Sequence, residues 1–344
     1  MSKFTDNSLM QLTGVRFKEF LREPEALFWV FLFPIILAAG LGLAFRNRPA
    51  EVLKIGAVTP ELASSLRREK LLDVQQFDAS SAEAALRAGK VALVAEPSTD
   101  GHIVYRYDDT NPEGRTARML TDRALQIAGG RVDPVSSSDL LMREPGSRYI
   151  DFLVPGLLGM NLMGSSIWGL AFGIVDSRRR KLLKRLTATP MRRYEYLLSF
   201  LLSRLVTLVI EVSTLLGFGM LVFHVPMRGS FLSFTALCVF GSLSFASLGL
   251  LVSSRVRTVE GVSGLTNSIM MPMWILSGVF FSSQRFPDVI QPVIRLLPLT
   301  ATIDALRGCM LQGASLAQMW PELAVLTVWM VVCFTLALKL FRWR

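Results

Sequence analysis

Apolar positions along the chain gather into windows longer than a soluble core helix needs. Residues 26–45, 152–175, 231–254 and 261–281 contain no Asp, Glu, Lys or Arg. Two further windows are weaker: 205–225 is interrupted by Glu211, and 323–338 is short but continues through Lys339, whose amine reaches the interface on its own alkyl stem. A hydrocarbon core about 30 Å thick takes roughly 20 apolar residues of helix, because a helix satisfies its own backbone where water is absent. The pattern therefore predicts six transmembrane helices. The first window is too long for a cleavable signal sequence and follows a mixed-charge stretch, so it is expected to remain as an anchor.

Between the first two windows the pattern changes. Short apolar runs at 54–59, 91–95 and 103–107 alternate with helix-like stretches at 60–70, 80–88 and 113–128, which predicts a small α/β module. Ahead of the first window, residues 8–23 place Leu9, Met10, Phe17, Phe20 and Leu21 within about 120° of helical arc, and Arg16, Lys18, Glu19 and Arg22 elsewhere. That suits a helix lying in the interface plane. Residues 282–321 are semi-apolar but cut by Pro287, Pro292, Pro298 and Pro321, so no piece of them can span. Two short helices dipping into the outer leaflet are expected there. Non-helical turns at such depth persist only where protein or water satisfies them, which points to an outer gate.

The expected fold is an α-helical polytopic membrane protein with six transmembrane helices. An interfacial helix (1–25) precedes the first span (26–45), and a small α/β extracytoplasmic domain (46–150) separates it from the second. Residues 151–344 hold the other five spans, a cytoplasmic segment at 177–190 and re-entrant helices within 282–321.

Composition narrows the function class. Hydrophobic residues make up 51% and charged residues 19% of the 344, against about 25% charged in soluble domains. A disordered chain and a water-soluble enzyme are both disfavoured. The net charge of +10 resembles that of a nucleic-acid binder until the charges are placed. Eighteen basic residues fall before span 1, between spans 2 and 3, after span 4 and at the C-terminus, whereas the opposite short loops hold four, Arg228, Arg285, Arg295 and Arg307. Residues 46–150 balance 15 basic against 15 acidic. Positive loops stay inside, so both termini are expected in the cytoplasm and the module on the far side of the membrane; that membrane is expected to be a bacterial inner membrane, and nucleic acid is not expected as a partner. Cys238, Cys309 and Cys333 lie in or beside apolar segments without metal-ligand spacing, and His102 stands alone, so no metal site is expected.

Candidate chemistry lies in three places. In residues 176–196, Leu182, Leu183 and Leu186 share a helix face among Arg178, Lys181, Lys184 and Arg185, and Thr189 with Pro190 ends the helix. One reading is a positive-inside anchor; the other is a helix whose leucines enter a groove on a cytoplasmic partner. The second span carries Asn161, Ser165, Gly169 and Gly173 at spacings of four, with Met160, Gly164 and Trp168 beside them. The fifth carries Gly264, Ser268 and Pro272 with Asn267, Met271 and Trp274. Small faces let helices approach closely, and Met adapts to varied apolar ligands; ordinary helix packing explains each residue as well. Glu211 is the only Asp, Glu, Lys or Arg inside a span, with Arg204 two turns earlier on the same face. A structural ion pair and a proton relay both fit.

The order of parts, together with "DSRRRKLLKRLTATPMRRYEYLLS" after span 2, "SFASLGLLVSSRVRT" ending span 4 and "SGVFFSSQRFPDVIQPVIRLLPLTATIDALRGCMLQG" after span 5, resembles the ABC-2-type permease subunits of ATP-binding cassette exporters, of ABCG-like architecture. The resemblance covers essentially the whole chain, and the third string, with Pro287, Leu297 to Thr300 and Leu306 to Gly308, is its most specific part. It implies a dimeric pore subunit, a homodimer by expectation, with spans 2 and 5 facing the path. Coupling falls on Arg178 to Leu186 with Pro190, the path on Met160, Asn161, Gly164, Ser165, Trp168, Asn267, Met271 and Trp274, and the outer gate on Phe280, Pro287, Pro298, Asp304 and Arg307. Implied partners are a P-loop ATPase, membrane lipid and a periplasmic adaptor; implied cargo is a hydrophobic or amphipathic drug-like molecule or lipid. The sequence holds no G-x-x-x-x-G-K-[ST] loop. No cofactor is expected on this chain; ATP and Mg would sit on the ATPase, and the chain itself would not be an enzyme. The competing readings are a non-transporting envelope scaffold or sensor, and a proton-coupled secondary exporter using Glu211.

Overall fold

The structure, a computed structural model, describes residues 8–46, 52–98, 100, 102–132, 148–179, 193–256 and 258–340. In chain order the helices begin with α1 (Ser8–Leu21), α2 (Pro24–Leu27), a π-helical turn at Phe28–Leu32 and α3 (Phe33–Arg46). A module follows with β1 (Leu53–Ala57), α4 (Pro60–Leu66), β2 (Leu72–Gln76), α5 (Ala79–Arg87), β3 (Leu93–Pro97), β4 (Ile103–Tyr107) and α6 (Pro112–Ala128). The remaining helices are α7 (Tyr149–Arg179), α8 (Arg193–Phe223), α9 (Phe231–Arg255), α10 (Val259–Leu276), α11 (Gln291–Arg295), α12 (Pro298–Arg307) with a π-helical continuation at Gly308–Gln312, and α13 (Trp320–Leu340). The chain divides into two compact units, Asn47–Met142 and the rest.

Within the module, the sheet order is β2-β1-β3-β4, with β1 parallel to β2 and β3, and β4 antiparallel to β3. Parallel neighbours need crossover helices, and α4 and α5 supply them. Ile55, Ala57, Leu93 and Ala95 point to one face and meet Leu66 of α4 with Ala117 and Ala124 of α6, while Val94 meets Ala82 and Ala85 of α5 on the other. Local chemistry starts each helix: Asp78 and Ser81 form a capping box on α5, and Asn111 Oδ1 accepts from Glu113 N at 2.9 Å with Pro112 at the first helical position of α6.

In the helical unit, five stretches are long and apolar enough to cross a membrane among the described residues: 24–45, 149–179, 202–223, 231–255 and 320–340. The fifth window of the sequence does not run to Phe281. Thr258 caps α10, whose 18 residues end at Leu276, and Gly278 follows at φ 77°, a left-handed turn that a Cβ would strain. At 1.5 Å per residue, α10 is about 27 Å long.

Close backbone approach organises this unit around α7. A methyl at Gly156 would stand 2.5 Å from Val279 O, one at Gly159 would stand 2.6 Å from Ile303 Cγ1, and one at Gly249 would stand 2.9 Å from Ile167 O. Gly241 of α9 approaches Thr302 in the same way, at 3.1 Å. Helix α12 is thereby seated on α7 and α9, and its residues 298–303 are buried. In the absence of water to drive association, small residues supply packing through contact area.

Helix α1 lies against α8, with Arg16 Nε donating to Ser199 Oγ at 3.0 Å. The inward-turned residues overlap that apolar arc only in part. Leu12, Thr13 and Arg16 turn inward with Phe17 and Phe20, while Met10 and Leu21 are exposed.

Candidate functional site

A buried polar network joins four helical segments. Glu211 of α8 is 1% exposed and sits 2.9 Å, through Oε2, from Arg204 Nη1, whose side chain is 11% exposed. Ser165 Oγ of α7 lies 2.8 and 3.0 Å from the two Glu211 carboxylate oxygens and 2.6 Å from Asn161 O, one turn back. Arg204 Nε donates to Ser166 Oγ at 3.1 Å and to Ser242 Oγ of α9 at 3.2 Å, and these hydroxyls are 3.0 Å apart. Asn161 Nδ2 donates to Val30 O at 2.9 Å, within the π-helical turn. A π turn disturbs the regular backbone ladder, and π turns recur at functional sites; here Asn161 takes up a carbonyl from that turn. Glu211 and Arg204 are thus paired, and a buried pair of this kind is tolerable only with such extra hydrogen bonds.

At the end of α7 that leads into the basic segment, Arg178 Nη1 donates to Ser253 O at 2.6 Å and to Val256 O at 3.3 Å. Both carbonyls belong to the C-terminal end of α9, where a cation also meets the negative end of the helix dipole. Lys181, Leu182, Leu183, Lys184, Arg185, Leu186 and Pro190 lie outside the described residues.

A second arginine closes the other end of the bundle. Arg307 Nη2 donates to Gly278 O at 2.6 Å and to Phe152 O at 3.1 Å, and its guanidinium carbon stands 3.5 Å from the centre of the Phe152 ring. Asp304 Oδ1 is 4.0 Å from Arg307 Nη1, so the backbone carbonyls hold the cation more closely than the carboxylate does. Tyr149 Oη donates to Phe280 O at 2.9 Å. Arg148 makes paired bonds to the fully buried Asp151 at 2.8 and 2.9 Å and reaches His224 O at 3.0 Å. Pro298 opens the buried α12, whereas Pro287 is exposed.

The candidate path residues do not share one surface. Met160 is buried in the core, Asn161 and Ser165 face Val30 and Glu211, and a methyl at Gly164 would meet Met270 of α10 at 3.6 Å. Trp168 is half-buried beside Phe172. On α10, Thr266 and Met270 turn inward, Asn267 and Met271 are exposed and Trp274 is half-buried. Sequence reasoning missed the Arg178 bonds, the Asn161–Val30 bond and the Arg148–Asp151 pair. Asp151, at the start of the long second helix, was the only readable signal for the last of these. Among the described residues, no group of three or more His, Cys, Asp or Glu is placed to hold a metal ion.

Comparison with known proteins decides the family: the profile of the ABC-2 family transporter proteins matches residues 24–339. The chain belongs to the ABC-2 transporter family. It is similar to ABC transporter G family member 20 of Dictyostelium discoideum, 24% identical over 290 residues that cover 81% of this chain and 39% of that protein. The inner membrane transport permease YhhJ of Escherichia coli K12 is 23% identical over 187 residues, 54% of this chain and 48% of the relative. Nodulation protein J of Bradyrhizobium diazoefficiens is 29% identical over 236 residues, 63% of this chain and 86% of the relative. The chain thus spans less than half the length of the first two. Family membership and the long apolar helices together make this ABC-2 chain an integral membrane protein.

Proposed function

We propose that this ABC-2 protein is the transmembrane permease subunit of an ATP-driven exporter that moves a hydrophobic or amphipathic molecule, drug-like or lipid, out across the cytoplasmic membrane. The observation that carries the reading is the family match over residues 24–339 in a sequence without a phosphate-binding G-x-x-x-x-G-K-[ST] loop. In this reading hydrolysis falls to a P-loop ATPase partner, which holds ATP and Mg. The coupling segment, residues 177–190, docks on it through Leu182, Leu183 and Leu186, with the basic side chains at the rim.

In this reading α10 is the sixth span beside the five longer ones, α1 is the interfacial helix, and both termini face the cytoplasm. Residues 46–150 face outward and are free to meet a periplasmic adaptor. The exposed face of α10, with Gly264, Asn267, Ser268 and Met271, supports a path formed where two copies of the chain meet. The Arg307 clamp, with Phe280, Pro287, Pro298 and Asp304, forms the outer gate. Glu211 is structural, since Arg204 and Ser165 already hold its carboxylate. A proton-coupled exporter would need that carboxylate to exchange protons with water.

The test is co-expression with a candidate P-loop ATPase. Copurification is expected, together with ATP-dependent export in vesicles, and Leu182→Ala, Leu183→Ala and Leu186→Ala together are expected to abolish coupling. Export without ATP that is lost in Glu211→Gln would replace this reading with the proton-coupled one.

A further inference from the structure

Resting on that reading, we propose that Arg178 is a positioning residue that ties the coupling segment to α9, so that α7, α9 and α12 move as one lever between the ATPase and the outer gate. Its charge and its place beside the basic segment suit ATPase docking, yet its Nη1 is spent on Ser253 O and Val256 O of α9. The short contact to Ser253, 2.6 Å, is charge-assisted and falls on carbonyls at a helix C-terminus, where a guanidinium is most strongly held.

Arg178 closes a series of contacts that leaves α7 and α9 little freedom to slide. Ser166 and Ser242 meet at 3.0 Å, and Gly249 brings the α9 backbone to within van der Waals range of Ile167 O. Farther along, Gly159 of α7 and Gly241 of α9 both seat α12, against Ile303 and Thr302. Packed cores and interfaces switch between discrete arrangements instead of deforming continuously. A displacement of the segment after Arg179 therefore reaches α12 through two helices held in register, and the Arg178 clamp is the point where the second helix is engaged.

The experiment measures molecules exported per ATP hydrolysed by the permease and its ATPase in vesicles. Arg178→Ala and Gly249→Ala, which places a methyl 2.9 Å from Ile167 O, are compared with Arg255→Ala, which removes an exposed charge at the same end of α9. The expected result is a ratio lowered about fivefold or more by Arg178→Ala and Gly249→Ala, the lower end of couplings between distant sites, with the ATPase still copurifying and Arg255→Ala unchanged. Loss of copurification in Arg178→Ala would make it a docking residue and overturn the proposal. An unchanged ratio in Arg178→Ala would overturn it as well. If the unsubstituted pair does not form, or exports without ATP, the permease reading itself fails, which separates the two.

Discussion

Removing Glu211 tests the buried network most sharply. Arg204 loses its carboxylate at 2.9 Å in Glu211→Ala and keeps only the Ser166 and Ser242 hydroxyls, while its Nη2 is already buried without a hydrogen bond. A buried cation stripped of its counter-charge costs about 3–5 kcal/mol. Arg204→Ala leaves Glu211, 1% exposed, with the Ser165 hydroxyl alone and should cost a similar amount. Replacing both ends by apolar residues of similar size, Arg204→Met with Glu211→Leu, removes the charges together and is expected to lie between neutral and about 4 kcal/mol more stable. Equilibrium unfolding in lipid–detergent micelles, followed by Trp fluorescence, gives the cycle. A double variant as unstable as the two single variants added together would refute the reasoning, as would single variants within about 1 kcal/mol of the parent.

Other consequences follow from particular contacts. Gly229→Ala would drive a methyl against Cys309 O, and Gly156→Ala one to 2.5 Å from Val279 O; each should destabilise by about 1–3 kcal/mol, whereas Gly169→Ala meets nothing within 4 Å and should stabilise its helix by roughly 0.5–1 kcal/mol, read in the same unfolding assay. Asn161→Leu leaves Val30 O without its 2.9 Å donor, at a cost of about 1–3 kcal/mol, and hydrogen exchange should quicken at residues 28–34 ahead of the rest of α3. In the module, burial and the neighbouring Asp122 carboxylate push the Tyr105 phenol up to about 12 from an ordinary 10. The folded form holds that proton more tightly, so its contribution to stability is complete below pH 10 and is lost as pH rises through 12. The tyrosinate absorbance missing from Tyr105→Phe should therefore appear above pH 11, and a loss centred at pH 10 would contradict the assignment.

Hydropathy made the long helices legible, because the length of an apolar run is a local property. The windows at 26–45, 152–175 and 231–254 lie within or nearly within the stretches 24–46, 149–179 and 231–255. The π turn at 28–32 had a local signal in Pro34, which lacks the N–H that Val30 O would accept four residues on, but Asn161, the donor that takes its place, is 131 residues away and was not legible. Spacings of four put Asn161, Ser165 and Gly169 on one stripe of α7. Spacing carries no record of the neighbour: two of them meet Val30 and Glu211, and Gly169 is exposed. In the module, β4 coincides with an apolar run and β1 and β3 overlap theirs with offsets of one or two residues, whereas β2, Leu-Asp-Val-Gln-Gln, is an edge strand too polar to register as one. Arg178 and its neighbours read as equivalent positive charges until the C-terminal end of α9 supplied Arg178 with acceptors.

The most direct test of the account is reconstitution of the chain with a candidate P-loop ATPase in sealed vesicles, with export of a fluorescent amphipathic probe recorded against ATP. Export is expected to require ATP hydrolysis by the partner, to survive Glu211→Gln and to collapse when Leu182, Leu183 and Leu186 are alanine. Export that proceeds without ATP and follows an imposed proton gradient would contradict it.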